Sequence, residues 1–432
     1  MDSSTDESKR LSIKVWILSC LFGIGSWVVM NGLWVELPNL VNQLPEGWKL
    51  PSYLTIIVQI ANIGPISYGL LKKYCVKPER KETLEHITIC LILVFGIIGA
   101  ILLACYWKKT SNIFGAEHST SLLLLTFVIA LVDCTSSVTF LPFMSLLPAF
   151  YMSPFYVGEN MSSLVAAIFG LAQGVEVYNG TLPNGQGREL LTPVRYSQST
   201  FFLILGVLMI LCFASYLILR LFPSIKQLHI NSDEVQVSTH YDRFHTSVSS
   251  EFQGDSSDNY LVIGDTGHDR KLIQVCFCCM TWLNVLQNGV MASVGSYAYG
   301  PYGELSYHFA STLGPIVASI SCFLFMFFPR KSIHYVIGGS VGYTLAVIYL
   351  LIMATLSPYP LLYDKTFGKI LIVVVCMVAS SLVAYTKLAI ASVMRDFGHQ
   401  YLFYTGITMQ LGSFIGAVVM FPIVNYAKVF KS

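Results

Sequence analysis

The chain has 432 residues, 54% of them hydrophobic and only 12% charged, and 26 Lys and Arg against 24 Asp and Glu leave a net charge of +2. An average soluble domain is about 25% charged, so a mean hydropathy of +0.63 over this length excludes a water-exposed surface wrapped around a core, and excludes intrinsic disorder as well. The balanced charge leaves no electrostatic footprint for nucleic acid. What remains is a polytopic membrane protein.

In chain order, the polar residues 1–14 read as a cytoplasmic N-terminus. The apolar run behind them lacks a small-residue cleavage site and reads as a retained first span rather than a signal peptide. A helix needs about 20 apolar residues to cross a hydrocarbon core of about 30 Å. Eleven stretches qualify, at roughly 15–42, 52–71, 87–107, 119–142, 153–174, 199–219, 272–296, 305–328, 333–356, 369–392 and 402–427. The expected fold class is therefore all-α, with eleven transmembrane helices, and the short hinges between most of them make neighbours antiparallel. Two connections are longer. Residues 175–198 form a loop, and 220–271, rich in Ser, Asp and His, hold too little apolar content to fold and read as a disordered linker. The linker divides a six-helix half (15–219) from a five-helix half (272–427), with a tail at 428–432.

Six spans before the linker make span seven run in the same direction as span one, which permits two parallel halves. Trp27-x3-Asn31-Gly32 in span one is thinly echoed by Trp282-x5-Asn288-Gly289 in span seven. With the N-terminus inside, the inner segments carry 16 Lys and Arg and the outer ones 9, the bias expected of an N-in, C-out protein. Asn179-Gly180-Thr181, a glycosylation acceptor, then lies in an outer loop. Asn160-Met161-Ser162 lies at membrane depth and is expected to stay unmodified.

A charge at mid-bilayer costs about 2.5–3.5 kcal/mol on insertion scales. Four clear cases fall within spans: Glu36 near the outer end of span one, Asp133 midway along span four, and Glu159 and Lys387 toward the inner side of spans five and ten. The three acids suit proton relay or a counter-charge. The structural alternatives are snorkelling of Glu36 and Glu159 to the interfaces, and a buried pair for Lys387.

Neutral polar residues fall on helical faces. Trp27, Asn31 and Trp34 form one stripe. Gln59 with Asn62 form another, as do Asp133, Ser137 and Phe140. Asn284, Gln287 and Asn288 cluster on span seven, Ser380, Ala384 and Lys387 line span ten, and Gln410 with Ser413 line span eleven. Interhelical hydrogen bonds would explain any one of these; six together point to a central polar cavity. Amides beside aromatic rings suit a flat, neutral ligand rich in hydrogen-bonding groups. Pro38, Pro65, Pro142 and Pro315 are expected to kink or end their helices. Gly412-x3-Gly416 and Gly338-x3-Gly342 suit close helix packing, and Cys276, Cys278 and Cys279 suit small apolar packing groups. The sequence contains no G-x-x-x-x-G-K-[ST], G-x-S-x-G or H-E-x-x-H, so ATP-driven transport and the common hydrolytic chemistries have no support, and no metal site is expected.

Long strings in both halves, among them GSWVVMNGLWVELPNLVNQLPEGWKLPSYL (25–54), DCTSSVTFLPFMS (133–145), FYVGENMSSLVAAIFGLAQG (155–174), NVLQNGV (284–290), PYGELSYHFA (301–310), AYTKLAIASVMRD (384–396) and QLGSFIGAVVMFPIVN (410–425), closely resemble the eukaryotic riboflavin transporter family. The likeness is strongest to its third, proton-sensitive type, because of the strings around Asp133 and Glu159. The resemblance implies a plasma-membrane carrier with a 6+5 fold similar to equilibrative nucleoside transporters and the major facilitator plan. It would take up riboflavin without sodium, favoured by external acid, with protons as partner and no cofactor besides the transported vitamin. It nominates Asn31, Trp34, Asn62, Thr139, Phe140, Asn284, Asn288 and Lys387 for substrate, and Glu36, with Asp133 and Glu159, for proton coupling. At outer positions where the family carries cysteine this chain has Tyr299 and Tyr359, so an extracellular disulfide is not implied. A carrier for another flat heterocycle such as a nucleoside, and a cell-surface receptor, are the rival readings.

Overall fold

A computed structural model of the chain describes residues 2–113, 115–148, 151–179, 189–221, 267–328, 332–397, 399–427 and 429–431. Among the described residues, ten helices are long and apolar enough to cross a membrane: Gly47–Cys75, Lys81–Tyr106, Thr120–Ser145, Met152–Gln173, Gln198–Leu221, Arg270–Tyr302, Glu304–Phe325, Ile333–Thr355, Thr366–Asp396 and Tyr404–Asn425. The first span completes eleven, but as two helices, Asp2–Ile24 and Val28–Leu40, whose axes bend by 51°. Six spans precede and five follow residues 222–266, the part of the expected linker that lies outside the described residues. Gly180 and Thr181 of the glycosylation acceptor lie outside them too. The chain is thus an all-α, multi-pass membrane protein, with β-structure confined among the described residues to two small hairpins, Ser111–Ile113 with Ala116–His118 and Val177–Asn179 with Glu189–Thr192.

The break in span one does not fall at proline. Pro38 stays inside Val28–Leu40, and Pro142 and Pro315 also stay inside their helices. Pro65 sits at the third position of Ile63–Leu70, where its missing N–H is not needed. The bend lies instead at Gly25-Ser26-Trp27. There, a side chain on Gly23 would collide with the Phe155 carbonyl of span five, and one on Gly25 would lie 2.8 Å from Cys212 of span six. Span seven, its counterpart in the second half, is also irregular, with a π-helical stretch Val285–Met291. Gly289 there presses its backbone against Gly416, and Gly412 against the Thr281 carbonyl, so the close packing expected of Gly412-x3-Gly416 is found, with span seven as the partner. Gly338 meets nothing within 4 Å; its neighbour Gly339 abuts Thr386 instead.

Each half has its own core. In the first, Phe22 stacks on Phe140 at 4.4 Å between ring centroids, with Phe143, Phe155 and Tyr216 at 5.6–5.7 Å. In the second, Met280, Tyr343 and Val383 form one cluster and Tyr297, Tyr302 and Met353 another. The halves meet at the end of the bundle away from the linker. The Ser296 hydroxyl donates to the Trp48 carbonyl at 2.5 Å, Asn425 Nδ2 donates to Ser52 Oγ at 3.0 Å, and Ser311 Oγ donates to the Val35 carbonyl at 3.4 Å. The Trp48 ring packs edge-on to Tyr297 at 5.8 Å, and a Cβ on Gly300 would lie 2.7 Å from that indole.

Candidate substrate cavity

Between the halves lies a cavity of about 570 Å³, within the usual range of about 300–1,000 Å³ for small-molecule sites. Span one contributes Trp27, Asn31 and Trp34, span two Gln59 and Asn62, span four Ser137, span five Glu159 and Ser163, span seven Asn284, Gln287 and Asn288, and span eleven Gln410 and Ser413. A second void of about 340 Å³ shares Trp27, Asn31, Glu159 and Gln287 with it and is also lined by Asn160, Ser380 and Ala384. Asn160, on the linker-side half of span five, and Ala384, on the linker-side half of span ten, carry the space toward the linker face.

Helical spacing explains the assembly. On span one, positions i, i+4 and i+7 place both indoles and the Asn31 amide on one wall. The bend that ends at Trp27 tilts that segment against span five, where Asn31 Nδ2 donates to Ser162 Oγ at 2.9 Å. Asn62 Nδ2 donates to Gln59 Oε1 at 3.3 Å. Asn284 donates to the Met280 carbonyl at 2.7 Å, and Asn288 Nδ2 donates to Asn284 Oδ1 at 3.3 Å and to Ser413 Oγ at 2.9 Å. Lys387 lines neither of these two voids; its ammonium donates to Gln287 Oε1 at 2.8 Å.

The stripe expected on span four is split. Ser137 lines the cavity, but Phe140 is buried against Phe22 inside the first half. Thr139 is buried as well, its hydroxyl bonded to the Thr135 and Ser136 carbonyls of its own helix. Neither faces the space between the halves. Asp133 is 2% exposed and lies against the bend of span one, where the Met30 backbone N–H interacts with its carboxylate. That N–H belongs to the first turn after the break, where a helix leaves donors without intrahelical partners, and an acidic group there complements the helix dipole.

Of the three acids, Glu159 alone lines the cavity. Glu36 is fully buried in a network within the first half: its Oε1 accepts from Asn39 Nδ2 at 3.2 Å and Gln173 Nε2 at 3.0 Å, and Gln173 also donates to the Tyr196 carbonyl at 3.2 Å. Burial, with Glu36 nearby, pushes the Tyr196 hydroxyl up to about 12, so it remains a donor, to the Phe169 carbonyl. Snorkelling is thus not what Glu36 does. Gln173 and Tyr196 escaped the sequence reading: one ends its helix and the other lies in a loop, beyond the reach of a periodic pattern. Among the described residues no group of three His, Cys, Asp or Glu is placed to hold a metal.

The two halves thus enclose a polar, aromatic-lined cavity, and similarity to known proteins gives the family. The family model described as solute carrier family 52, riboflavin transporter, matches residues 11–432. This chain belongs to the riboflavin transporter family. Among relatives, it is 36% identical to riboflavin transporter 2 of Salmo salar over 98% of each chain. It is 35% identical to the human family's member 3, over 96% of this chain and 97% of that one, and 34% identical to human member 2, over 96% and 95%. Solved structures of similar fold include the nucleoside transporter NupG, with a TM-score of 0.51 at 14% identity over 96% of this chain and 91% of that one. A D-xylose–proton symporter gives a TM-score of 0.58 at 11% identity over 95% and 89%. At these identities the likeness shows the fold alone, and it is the fold expected from six plus five spans.

Proposed function

We propose that this member of the riboflavin transporter family carries riboflavin into the cell across the plasma membrane by alternating access, without sodium and favoured by external acid. The observation that carries the reading is the cavity between the halves: an amide-rich wall with two indoles, in a chain that matches the family over residues 11–432. Indoles offer stacking faces to a flat ring system, and amides offer donors and acceptors to its edge. With the N-terminus cytoplasmic and the C-terminus extracellular, the closed Trp48–Tyr297 end faces outward and the cavity leads inward. The conformation is then the one that delivers substrate to the cytoplasm.

In this reading substrate contacts fall to Asn31, Trp34, Asn62, Asn284 and Asn288, joined by Trp27, Gln59 and Gln287. Glu36 is the leading proton-linked group. It does not touch the cavity, but it follows Val35, whose carbonyl accepts Ser311 from the other half, so its protonation state bears on how the outer end closes. Uptake of labelled riboflavin by cells expressing the chain, competed with lumiflavin or uridine, tests the substrate. Competition by lumiflavin alone is expected. Equal competition by uridine would favour a nucleoside carrier, and absence of flux would favour a receptor.

A further inference from the structure

The hydrogen bonds among the wall residues and their neighbours fix which atom each amide presents to the cavity. An ammonium only donates, so the atom of Gln287 at 2.8 Å from Lys387 Nζ is the amide oxygen, and the two N–H bonds of Gln287 are left for the cavity it lines. One residue on, the opposite holds. The Met280 carbonyl takes the Asn284 amide N–H, which turns Asn284 Oδ1 toward Asn288; the Met409 carbonyl takes the Ser413 hydroxyl proton, which leaves Ser413 Oγ an acceptor. Both neighbours of Asn288 therefore demand donors, and its Nδ2 supplies them. Asn288 Oδ1 remains as an acceptor. The π-helical stretch carrying both residues thus sets a donor beside an acceptor.

We propose that Lys387 is a positioning residue that locks the Gln287 amide with its N–H groups toward the cavity. In that arrangement Gln287 and Asn288 together read a carbonyl next to a ring N–H, the edge of a cyclic imide. The inference rests on the cavity being the substrate site, and it deepens that reading by assigning the pyrimidine edge of the flavin ring to span seven. Lys387 does not contact the substrate in this arrangement; it acts through the Gln287 oxygen. A uracil ring carries the same edge, so competition by uridine bears on the substrate reading, whereas the amide variants bear on the edge.

The test is riboflavin uptake at matched surface expression, with riboflavin derivatives bearing sulfur in place of the 2- or 4-oxygen as competitors, since a thiocarbonyl is the poorer acceptor. In the wild-type protein one of the two is expected to compete about tenfold more weakly than riboflavin, the value of one hydrogen bond. Lys387→Met and Lys387→Gln release the Gln287 amide to turn, so this discrimination should shrink toward unity in both, whereas Lys387→Arg, still donor-only, should retain it. Gln287→Glu keeps a partner for Lys387 but loses the donor, and its KM for riboflavin should rise about tenfold with little change in maximal rate. A wild-type protein that transports riboflavin but does not distinguish the thio derivatives would overturn the assignment while sparing the substrate reading. So would unchanged discrimination in Lys387→Gln. If Lys387→Met fails to reach the surface, Lys387→Gln, of similar bulk, and Gln287→Glu decide.

Discussion

Gln173 Nε2 donates to Glu36 Oε1 at 3.0 Å and to the Tyr196 carbonyl at 3.2 Å, tying the broken first span to the end of the fifth and to the loop that follows it. The one intramembrane acid of span one is therefore held within its own half, one residue from a backbone contact to the other half, and outside the cavity. If protons act on transport through Glu36, they act on the closing of the end away from the linker, with no need for the proton and substrate to meet.

Glu36→Gln replaces the acid by a neutral amide whose oxygen still accepts from Asn39 and Gln173. Uptake is expected to lose its dependence on external pH between pH 6 and 7.5, at the level the wild-type protein reaches in acid. A pH dependence retained in this variant removes Glu36 from coupling and leaves Glu159, the acid in the cavity wall, as the next to substitute.

Phe140 and Trp34 separate packing from recognition. Phe140→Ala empties a fully enclosed site beside Phe22, and should cost about 3–5 kcal/mol of stability, read as a lower unfolding temperature in detergent with KM unchanged. Trp34→Ala should do the reverse, raising KM about three- to tenfold, the worth of one aromatic stacking contact, with the unfolding temperature close to wild type.

Asp133 serves the bend in span one through the Met30 N–H. Asp133→Asn retains an acceptor and is expected to keep transport. Asp133→Leu leaves that buried donor unsatisfied, a loss of about 1–3 kcal/mol, visible as reduced surface expression and thermal stability. Transport abolished in the folded Asn variant would instead give Asp133 a direct part in coupling.

Gly300 tests the closed end. A methyl there would lie 2.7 Å from the Trp48 ring, so Gly300→Ala should disfavour the closed arrangement by about 1–3 kcal/mol. Thiol labelling of a cysteine placed at Ala292, in the cavity wall, reads this directly: labelling from the outside should rise in the alanine variant.

How much of this is legible in the sequence depends on what sets each feature. Eleven spans follow from hydropathy, because lipid demands continuous apolar helix. The stripe of Trp27, Asn31 and Trp34 follows from helical spacing, and so do the faces of Gln59 with Asn62 and of Gln410 with Ser413. Spacing says that residues share a face but not what the face meets. Ser137 and Phe140 lie within one turn of each other on span four, yet one lines the cavity and the other packs on Phe22. The bend in span one was expected at Pro38 and lies at Gly25, because a glycine's role depends on a neighbour, here Cys212, distant in sequence. The face of Ser380, Ala384 and Lys387 on span ten follows from spacing too, but that the Lys387 ammonium meets Gln287 of span seven is a contact only packing decides.

Riboflavin movement through the cavity between the halves is measurable as flux in a purified system. Purified protein in proteoliposomes with an imposed pH gradient, acid on the side of the Trp48–Tyr297 end, tests it most directly. Saturable riboflavin uptake without sodium is expected, faster with the gradient than without it and weakened in Trp34→Ala and Asn288→Ala. Absence of riboflavin flux in folded, correctly inserted protein, or flux that both cavity variants leave unchanged, would contradict it.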